Sequence, residues 1–111
     1  MYLYDKFTEA NRNQDADAFL ELIHEDFTIV SHGHGTTGNR EQFSSMVYFL
    51  MGRGKTINVQ NERCIYENEH TLIEHKIMSF PDGRREAVLC VWMKQDGKLV
   101  SLETGATPLS N

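Results

Sequence analysis

The chain has 111 residues, of which 40% are hydrophobic and 24% are charged, a balance typical of a single globular domain. Its formal net charge is −5, and its 11 lysines and arginines form no basic stripe, which argues against binding to nucleic acid or to an anionic membrane. No apolar run approaches the ~20 residues of a membrane helix, and the first five residues lack the basic and apolar regions of a signal peptide. We therefore expect one cytoplasmic domain spanning residues 1–111.

Two short helices are predicted at the N-terminal end. The apolar residues of the first helix recur at helical spacing, at Leu3, Phe7 and Ala10. Asp15 can cap the second helix, because its carboxylate can accept hydrogen bonds from the free amides of a first helical turn. The buried face of the second helix would consist of Phe19, Leu22 and Ile23.

The next segment predicts a strand, a loop and a third helix. The β-branched and aromatic residues 27–31 are typical of a strand, and the glycines that follow, at positions 33, 35 and 38, predict a loop or a bulged strand end. Asn39 and Gln42 have the spacing of a capping box. Gly52 is expected to end this third helix in a left-handed conformation. The buried face of the helix would carry Phe43, Met46, Val47 and Leu50.

The second half of the chain predicts an antiparallel sheet. From Lys55 onward the hydrophobic period changes to two, and turn signals at residues 67–70, 81–83 and 96–97 separate four strands. Tight turns of this kind join antiparallel neighbours.

Residues 87–93 are apolar without alternation, so both faces of that strand need cover. Three short helices can cover one face of the sheet. A wide apolar face left in water is rare among soluble monomers. We therefore predict a homodimer that packs sheet against sheet.

The order and spacing of five segments resemble the SnoaL-like group of the nuclear transport factor 2-like superfamily. These segments are residues 12–16, 19–27 and 32–38, the helix from Asn39, and residues 92–100. The resemblance implies an α+β, cone-shaped (cystatin-like) roll, in which three N-terminal helices pack on a strongly bent antiparallel sheet around an apolar pocket. Members of the superfamily include ketosteroid isomerases, polyketide cyclases and non-catalytic binding modules, and many dimerise through the outer face of the sheet.

One consequence of this resemblance can be tested at individual residues. Ketosteroid isomerases use a tyrosine on the first helix and an aspartate at the end of the first strand. In this sequence the tyrosine position falls at Phe7, and the aspartate position falls at Ser31 or His32. Phenylalanine cannot donate a hydrogen bond, so isomerase chemistry of that kind is not expected.

Three ionisable residues are candidate catalytic groups: His32, Glu74 and Glu103. His32 would act as the base at the pocket mouth, because imidazole exchanges protons near neutral pH. The alternative is a loop histidine bonded to backbone or water. Glu74 and its neighbour His75 must point to opposite faces of the sheet. Their alternative is ion pairing on the outer face, with Arg63, Lys76 or Arg85 as partner.

Other residues are predicted to line the pocket, with plain core packing as the alternative. This ligand-binding set is Phe7, His34, Phe43, Met46, Val47, Tyr66 and Trp92. His32 and His34 could form a ligand pair for a metal, but a third ligand is lacking, so no metal site is predicted. Cys64 and Cys90 are expected to be free thiols.

The functional prediction is a protein that binds a small apolar ligand in its pocket. Its reaction, if it has one, would be proton transfer on a small apolar carbonyl compound, with His32 as the base. No cofactor is expected. The alternative is a non-catalytic dimeric module that binds a peptide, a protein or a metabolite.

Overall fold

The computed structural model describes residues 2–33, 35–52 and 58–110. In this part of the chain, three helices and six strands form an α+β fold. In chain order they are α1 Tyr4–Arg12, α2 Ala16–Leu20, β1 Ile23–Ser31, β2 Thr36–Asn39, α3 Arg40–Gly52, β3 Asn58–Glu67, β4 Thr71–Ser79, β5 Arg85–Gln95 and β6 Lys98–Pro108.

The six strands form one bent sheet in the order β2-β1-β6-β5-β4-β3. Strands β3 to β6 are antiparallel neighbours, which confirms the prediction from their tight turns. Strand β1 pairs with β6 in parallel, through partners such as Ile23 with Leu99 and Ile29 with Leu102. The last strand in sequence therefore lies at the centre of the sheet, next to the first.

The predicted caps are present at the second and third helices. Asp15 Oδ1 accepts a hydrogen bond from the amide of Ala18 at 3.1 Å, at the start of α2. Asn39 Oδ1 accepts from the amide of Gln42, and Gln42 Oε1 accepts from the amide of Asn39, both at 2.9 Å. These reciprocal bonds satisfy free donors at the start of α3.

Several predicted boundaries are wrong. Helix α2 ends at Leu20, because the Leu22 carbonyl accepts from the amide of Leu99 and Ile23 already belongs to β1. Residues 36–38, predicted as a loop or a bulged strand end, form β2 together with the helix-capping residue Asn39, on the edge of β1. Gly52 is helical rather than left-handed. Lys55, where the change of period was predicted, lies outside the described residues.

Trp92 lies at the centre of the core, on the inner face of β5. Its ring centroid lies 5.2 Å from that of Phe7, 6.1 Å from Phe27 and 6.4 Å from Phe43. Tilted and edge-to-face rings at such distances stabilise a core beyond the area that they bury. The ring centroid of Phe19, on α2, lies 6.3 Å from that of Trp92, so all three helices pack on one face of the sheet, as predicted.

A buried ion pair anchors α1 over the sheet. Glu67 Oε2, at the end of β3, accepts from the amide of Leu3 at 2.5 Å and from Lys94 Nζ at 2.6 Å. The side chains of Glu67 and Lys94 are almost fully buried. An anionic group at a helix N-terminus also interacts favourably with the helix dipole. This contact sets the position of α1 relative to β3 and β5.

Candidate functional site

A cavity of about 490 Å3 opens between the helices and the inner face of the sheet. All three helices contribute to its roof, and the central strands contribute to its floor. The wall is mainly apolar and includes Phe7, Phe19, Phe43, Met46, Val47 and Trp92. The volume lies within the range of roughly 300–1,000 Å3 that is typical of small-molecule sites.

Another hollow, of about 470 Å3, lies between α1, α2 and the turn after β5. Its charged side chains, among them Lys6, Glu9 and Glu21, are exposed to solvent. Charges that remain solvated hold a ligand weakly. We therefore take the inner cavity as the candidate site.

An ion pair between Glu74 and Lys76 interrupts the apolar wall of the cavity. The side chain of Glu74 is fully buried, and its Oε1 accepts a hydrogen bond from Lys76 Nζ at 2.8 Å. Glu74 Oε2 is also buried and has no hydrogen-bond partner among the residues that the structure describes. Lys76 lines the cavity, with 18% of its side chain exposed. The ammonium therefore stands between the enclosed carboxylate and the cavity.

The two charges of this pair hold each other in place. Burial lowers the pKa of Lys76, but the Glu74 carboxylate and the hydrogen bond to it raise that pKa further, so the net shift is upward. Lys76 is therefore an ammonium at neutral pH. It can donate hydrogen bonds to a ligand, but it cannot act as a nucleophile in this state.

Two protonated groups lie close to the pair. Burial raises the pKa of the Cys90 thiol to about 12, and the charge of Glu74 adds to this shift while Lys76 opposes it. Burial and Glu74 likewise raise the pKa of Tyr4 to about 12. Cys90 lines the cavity, whereas the buried hydroxyl of Tyr4 has no hydrogen-bond partner within the described residues. At neutral pH neither group is a nucleophile.

Glu86 adds a second carboxylate to the same wall. On β5 it stands opposite Met78, and Val88 stands opposite Lys76, so Glu86 and Lys76 are diagonal neighbours on one face. Glu86 Oε2 lies 4.0 Å from Arg84 Nη1, on an exposed guanidinium. Two carboxylates thus accompany one ammonium at this wall.

Most of the predicted wall residues do lie around the cavity. Phe7, Phe43, Met46, Val47 and Trp92 line it. Glu74 points inward beside it, and its neighbour His75 lies on the outer face, with Nδ1 3.3 Å from Arg63 Nη1. The expectation that only one of Glu74 and His75 enters the cone is confirmed.

The expected positions of His32, Glu103 and Tyr66 need correction. His32 Nε2 lies 2.6 Å from Glu103 Oε2 on the outer face of the sheet, and both side chains are more than half exposed. Strand alternation explains this placement, because Ser31 and Thr104 face the cavity instead.

Tyr66, also predicted as a wall residue, lies opposite the outer-face residue Ile73 and is 55% exposed. His34 lies outside the described residues. The structure therefore brings neither His32, Glu103 nor Tyr66 together with Glu74.

Lys76 was not among the predicted site residues, and the sequence predicts only that it shares a face with Glu74. Leu72, Glu74, Lys76 and Met78 share one face of β4 because they alternate along the strand. Ile73 and Ile77 flank His75 in the same way on the other face, so apolar neighbours alone do not identify the inner face. Once Glu74 is placed inside the cone, Lys76 lies on the same face.

Two further features bear on the class of site, a cluster of metal ligands and a membrane-spanning helix. Within residues 2–33, 35–52 and 58–110, no three His, Cys, Asp or Glu side chains are placed to hold a metal ion. No helix in the described part of the chain combines the length and apolar character needed to span a membrane.

Comparison with known proteins gives a fold but no sequence relative. No protein-family model matches the chain, and no curated protein matches it. Among solved structures, the chain is similar to an NTF2-like protein of unknown function from Burkholderia xenovorans LB400. The TM-score is 0.74, with 16% identity, and the likeness covers 97% of this chain and 82% of that chain.

Two similar structures have a provisional activity in their names. One is provisionally assigned as a ketosteroid isomerase, from Kribbella flavida, with a TM-score of 0.76, 11% identity, and coverage of 98% of this chain and 78% of that chain. The other is IdmH from Streptomyces antibioticus, provisionally assigned as a polyketide cyclase. Its TM-score is 0.70 and its identity 19%, over 93% of this chain and 88% of that chain. At these identities the likeness establishes the NTF2-like cone fold, as predicted.

Proposed function

We propose that this chain, with its NTF2-like cone, binds a small and mostly apolar molecule in the inner cavity. The observation that carries the proposal is the cavity of about 490 Å3 with an apolar wall and one buried ion pair, Glu74 with Lys76. The provisional names of two similar structures, a ketosteroid isomerase and a polyketide cyclase, also belong to chemistry on small organic molecules.

The composition of the wall supports both affinity and orientation. Apolar side chains such as Phe43, Met46 and Val88 provide surface from which a ligand excludes water, at roughly 25 cal/mol for each Å2 of apolar area. A few polar groups in an apolar cavity fix the orientation of the ligand. A cone with this open interior differs from the closed, filled cone that we would expect of a module that binds partners only through its surface.

Filling the cavity tests the proposal. Thr104 lines the cavity, whereas Thr107 on the same strand is exposed, so Thr104→Phe and Thr107→Phe form a matched pair. Trp92 is the single tryptophan and lies at the wall, so its fluorescence can report a titration with tert-butylcyclohexanone. We expect Thr104→Phe to weaken binding at least about tenfold, or ~1.4 kcal/mol. Thr107→Phe should bind like the wild type.

Equal binding by Thr104→Phe and the wild type, with both variants folded by circular dichroism, would show that the ligand sits elsewhere. Absence of saturable binding to the wild type for ketones of several sizes would remove the proposal.

A second candidate is catalysis of proton transfer next to a carbonyl group. It is favoured by the Glu86 carboxylate, which lines the cavity as the diagonal neighbour of Lys76, whereas Glu74 is enclosed behind the Lys76 ammonium. In such a step Glu86 takes a proton from the carbon next to the carbonyl, and the electron pair moves onto the carbonyl oxygen as an enolate. Lys76 donates a hydrogen bond to that oxygen. Return of the proton to carbon regenerates the carboxylate.

Exchange of the ketone's α-hydrogens in heavy water, followed by NMR, tests this step. If the wild type catalyses exchange, Glu86→Gln should lower the rate by about 10²- to 10⁴-fold, the usual contribution of a positioned base. His32→Ala provides the control, because His32 lies on the outer face and its loss should leave the rate unchanged. A rate that survives in Glu86→Gln and falls in His32→Ala would reverse this assignment.

We also propose a homodimer that forms through the outer face of the sheet. In the protomer, Leu89 is 43% and Met93 41% exposed, although both belong to the apolar run of β5. Ile73 and Val91 stand opposite each other on the same face. A second copy of the chain would cover this surface. The net charge of −5 further supports the expectation that nucleic acid is not a partner, and a cytoplasmic location stays a prediction.

A further inference from the structure

Glu74 and Lys76 occupy positions at which packing alone would favour apolar side chains. They lie between Leu72 and Met78 on the inner face of β4, opposite Cys90 and Val88 of β5. Transfer of an ion pair out of water has a desolvation cost that apolar side chains of similar volume avoid. Apolar residues at these two positions would therefore stabilise the fold about as well as the ion pair does. A role in the cavity explains the pair better than a role in stability.

The two residues of the pair differ in their access to the cavity. Glu74 is fully enclosed, whereas Lys76 lines the cavity wall. An ammonium carries three N–H donors. Glu74 Oε1 accepts from Lys76 at 2.8 Å, and no other acceptor contacts Nζ among the described residues. A ligand that reaches this wall therefore meets hydrogen-bond donors held in place by an enclosed carboxylate.

The charges around Lys76 indicate which oxygen suits these donors. Glu74 already compensates the ammonium, and Glu86 is its diagonal neighbour on the same wall. Charge interactions are strong where apolar side chains exclude water. A ligand carboxylate would add a negative charge beside an ammonium that Glu74 already neutralises, while the exposed guanidinium of Arg84 compensates Glu86 at 4.0 Å. An uncharged carbonyl oxygen accepts the same hydrogen bond without that repulsion.

We propose that Lys76 determines the specificity of the cavity by donating a hydrogen bond to an uncharged carbonyl oxygen. The cavity thereby selects ketones over carboxylates that share the same apolar frame. This inference rests on the proposed binding function and deepens it. Glu74 acts here as a positioning residue, since it holds the ammonium at the wall.

Three probes with one frame test the inference: tert-butylcyclohexanone, tert-butylcyclohexane and tert-butylcyclohexane carboxylate. Their dissociation constants are measured by Trp92 fluorescence and by NMR for the wild type and for two variants. Lys76→Met removes the ammonium alone. The double variant Glu74→Gln with Lys76→Met removes both charges, so it remains informative if the buried carboxylate unfolds the single variant.

We expect the wild type to bind the ketone most tightly and the carboxylate most weakly. In the double variant the ketone should bind about tenfold more weakly, the range expected for loss of a hydrogen bond to a charged donor. The oxygen-free probe should bind the wild type and both variants alike.

Two results would overturn the inference alone: equal losses for the ketone and the oxygen-free probe, or tighter binding of the carboxylate than of the ketone. In both cases the oxygen-free probe still binds the wild type, so the proposed function survives. If no probe binds the wild type, the proposed function fails together with the inference.

Discussion

Cys90 is a residue whose acid–base chemistry changes between the unfolded chain and the cone. Its thiol is buried in the cavity wall, and burial raises its pKa from 9.0 to about 12. A thiol with a raised pKa holds its proton more tightly in the folded state. The corresponding stability is fully present below about pH 9 and is lost as pH rises from 9 towards 12, because the unfolded chain loses the proton first.

The pH dependence of unfolding tests this linkage. We expect the free energy of unfolding in urea to fall as pH rises above about 9, with Cys90 contributing up to ~1.4 kcal/mol per pH unit in that window. Cys90→Ala should flatten this fall. Cys64→Ala is the control, since burial also raises the pKa of Cys64 but leaves that side chain less enclosed. An identical pH profile for Cys90→Ala and the wild type would exclude the buried thiol as the cause.

Helix caps and tight turns were predicted correctly, because they are determined by interactions between residues close together in the sequence. The caps at Asp15 and Asn39 act within four residues, and the turn at Asp96 and Gly97 needs two residues with positive φ, which the structure shows at 55° and 75°. Turn chemistry and helix caps of this kind can be recognised from sequence alone. The predicted order of three helices and a late antiparallel sheet is therefore confirmed.

Pairing over long distances in sequence could not be predicted. The end of α2 and the start of β1 both depend on Leu99. The amide of Leu99 donates a hydrogen bond to the Leu22 carbonyl, and Leu99 pairs with Ile23 across the two strands. This tertiary contact overrides the helical spacing of Leu22 and Ile23. The register between β1 and β6 also shifts between Ile23 and Thr28, and this irregularity interrupts the regular alternation of side chains between the two faces of β1.

The alternation of side chains along the strands explains why part of the site was predicted and part was not. Glu74 was recognised because alternation alone separates it from His75. The direction of His32 depends on the irregular pairing of β1, which the sequence does not encode locally. Placing Lys76 at the wall required knowing which face of β4 meets the helices. Glu67 shows a similar limit, since it contacts Leu3 across 64 positions of the chain.

The cone has two apolar surfaces, and they differ in how far they are buried in the protomer. The inner face of β5 is covered, with Val88 and Trp92 both buried. On the outer face, Leu89 and Met93 remain more than two-fifths exposed in the protomer. Soluble proteins rarely expose a contiguous apolar patch without a partner for it.

Light scattering during gel filtration tests the predicted dimer. We expect the wild type to have twice the protomer mass of 12.8 kDa. Leu89→Lys should shift the protein to the protomer mass with an unchanged circular dichroism spectrum, because a charge at the interface core is strongly unfavourable. Phe49→Lys, an equivalent change at an exposed residue of α3, should leave the dimer intact. A wild-type protomer mass at micromolar concentration would contradict the dimer.

A crystal structure of the protein soaked with tert-butylcyclohexanone measures the occupant of the cavity directly. The expected result is ketone density between Trp92 and β4, with the carbonyl oxygen within hydrogen-bond distance of Lys76 Nζ. Ketone bound only outside the cone, or a cavity filled by its own side chains at a saturating ketone concentration, would contradict the proposed function.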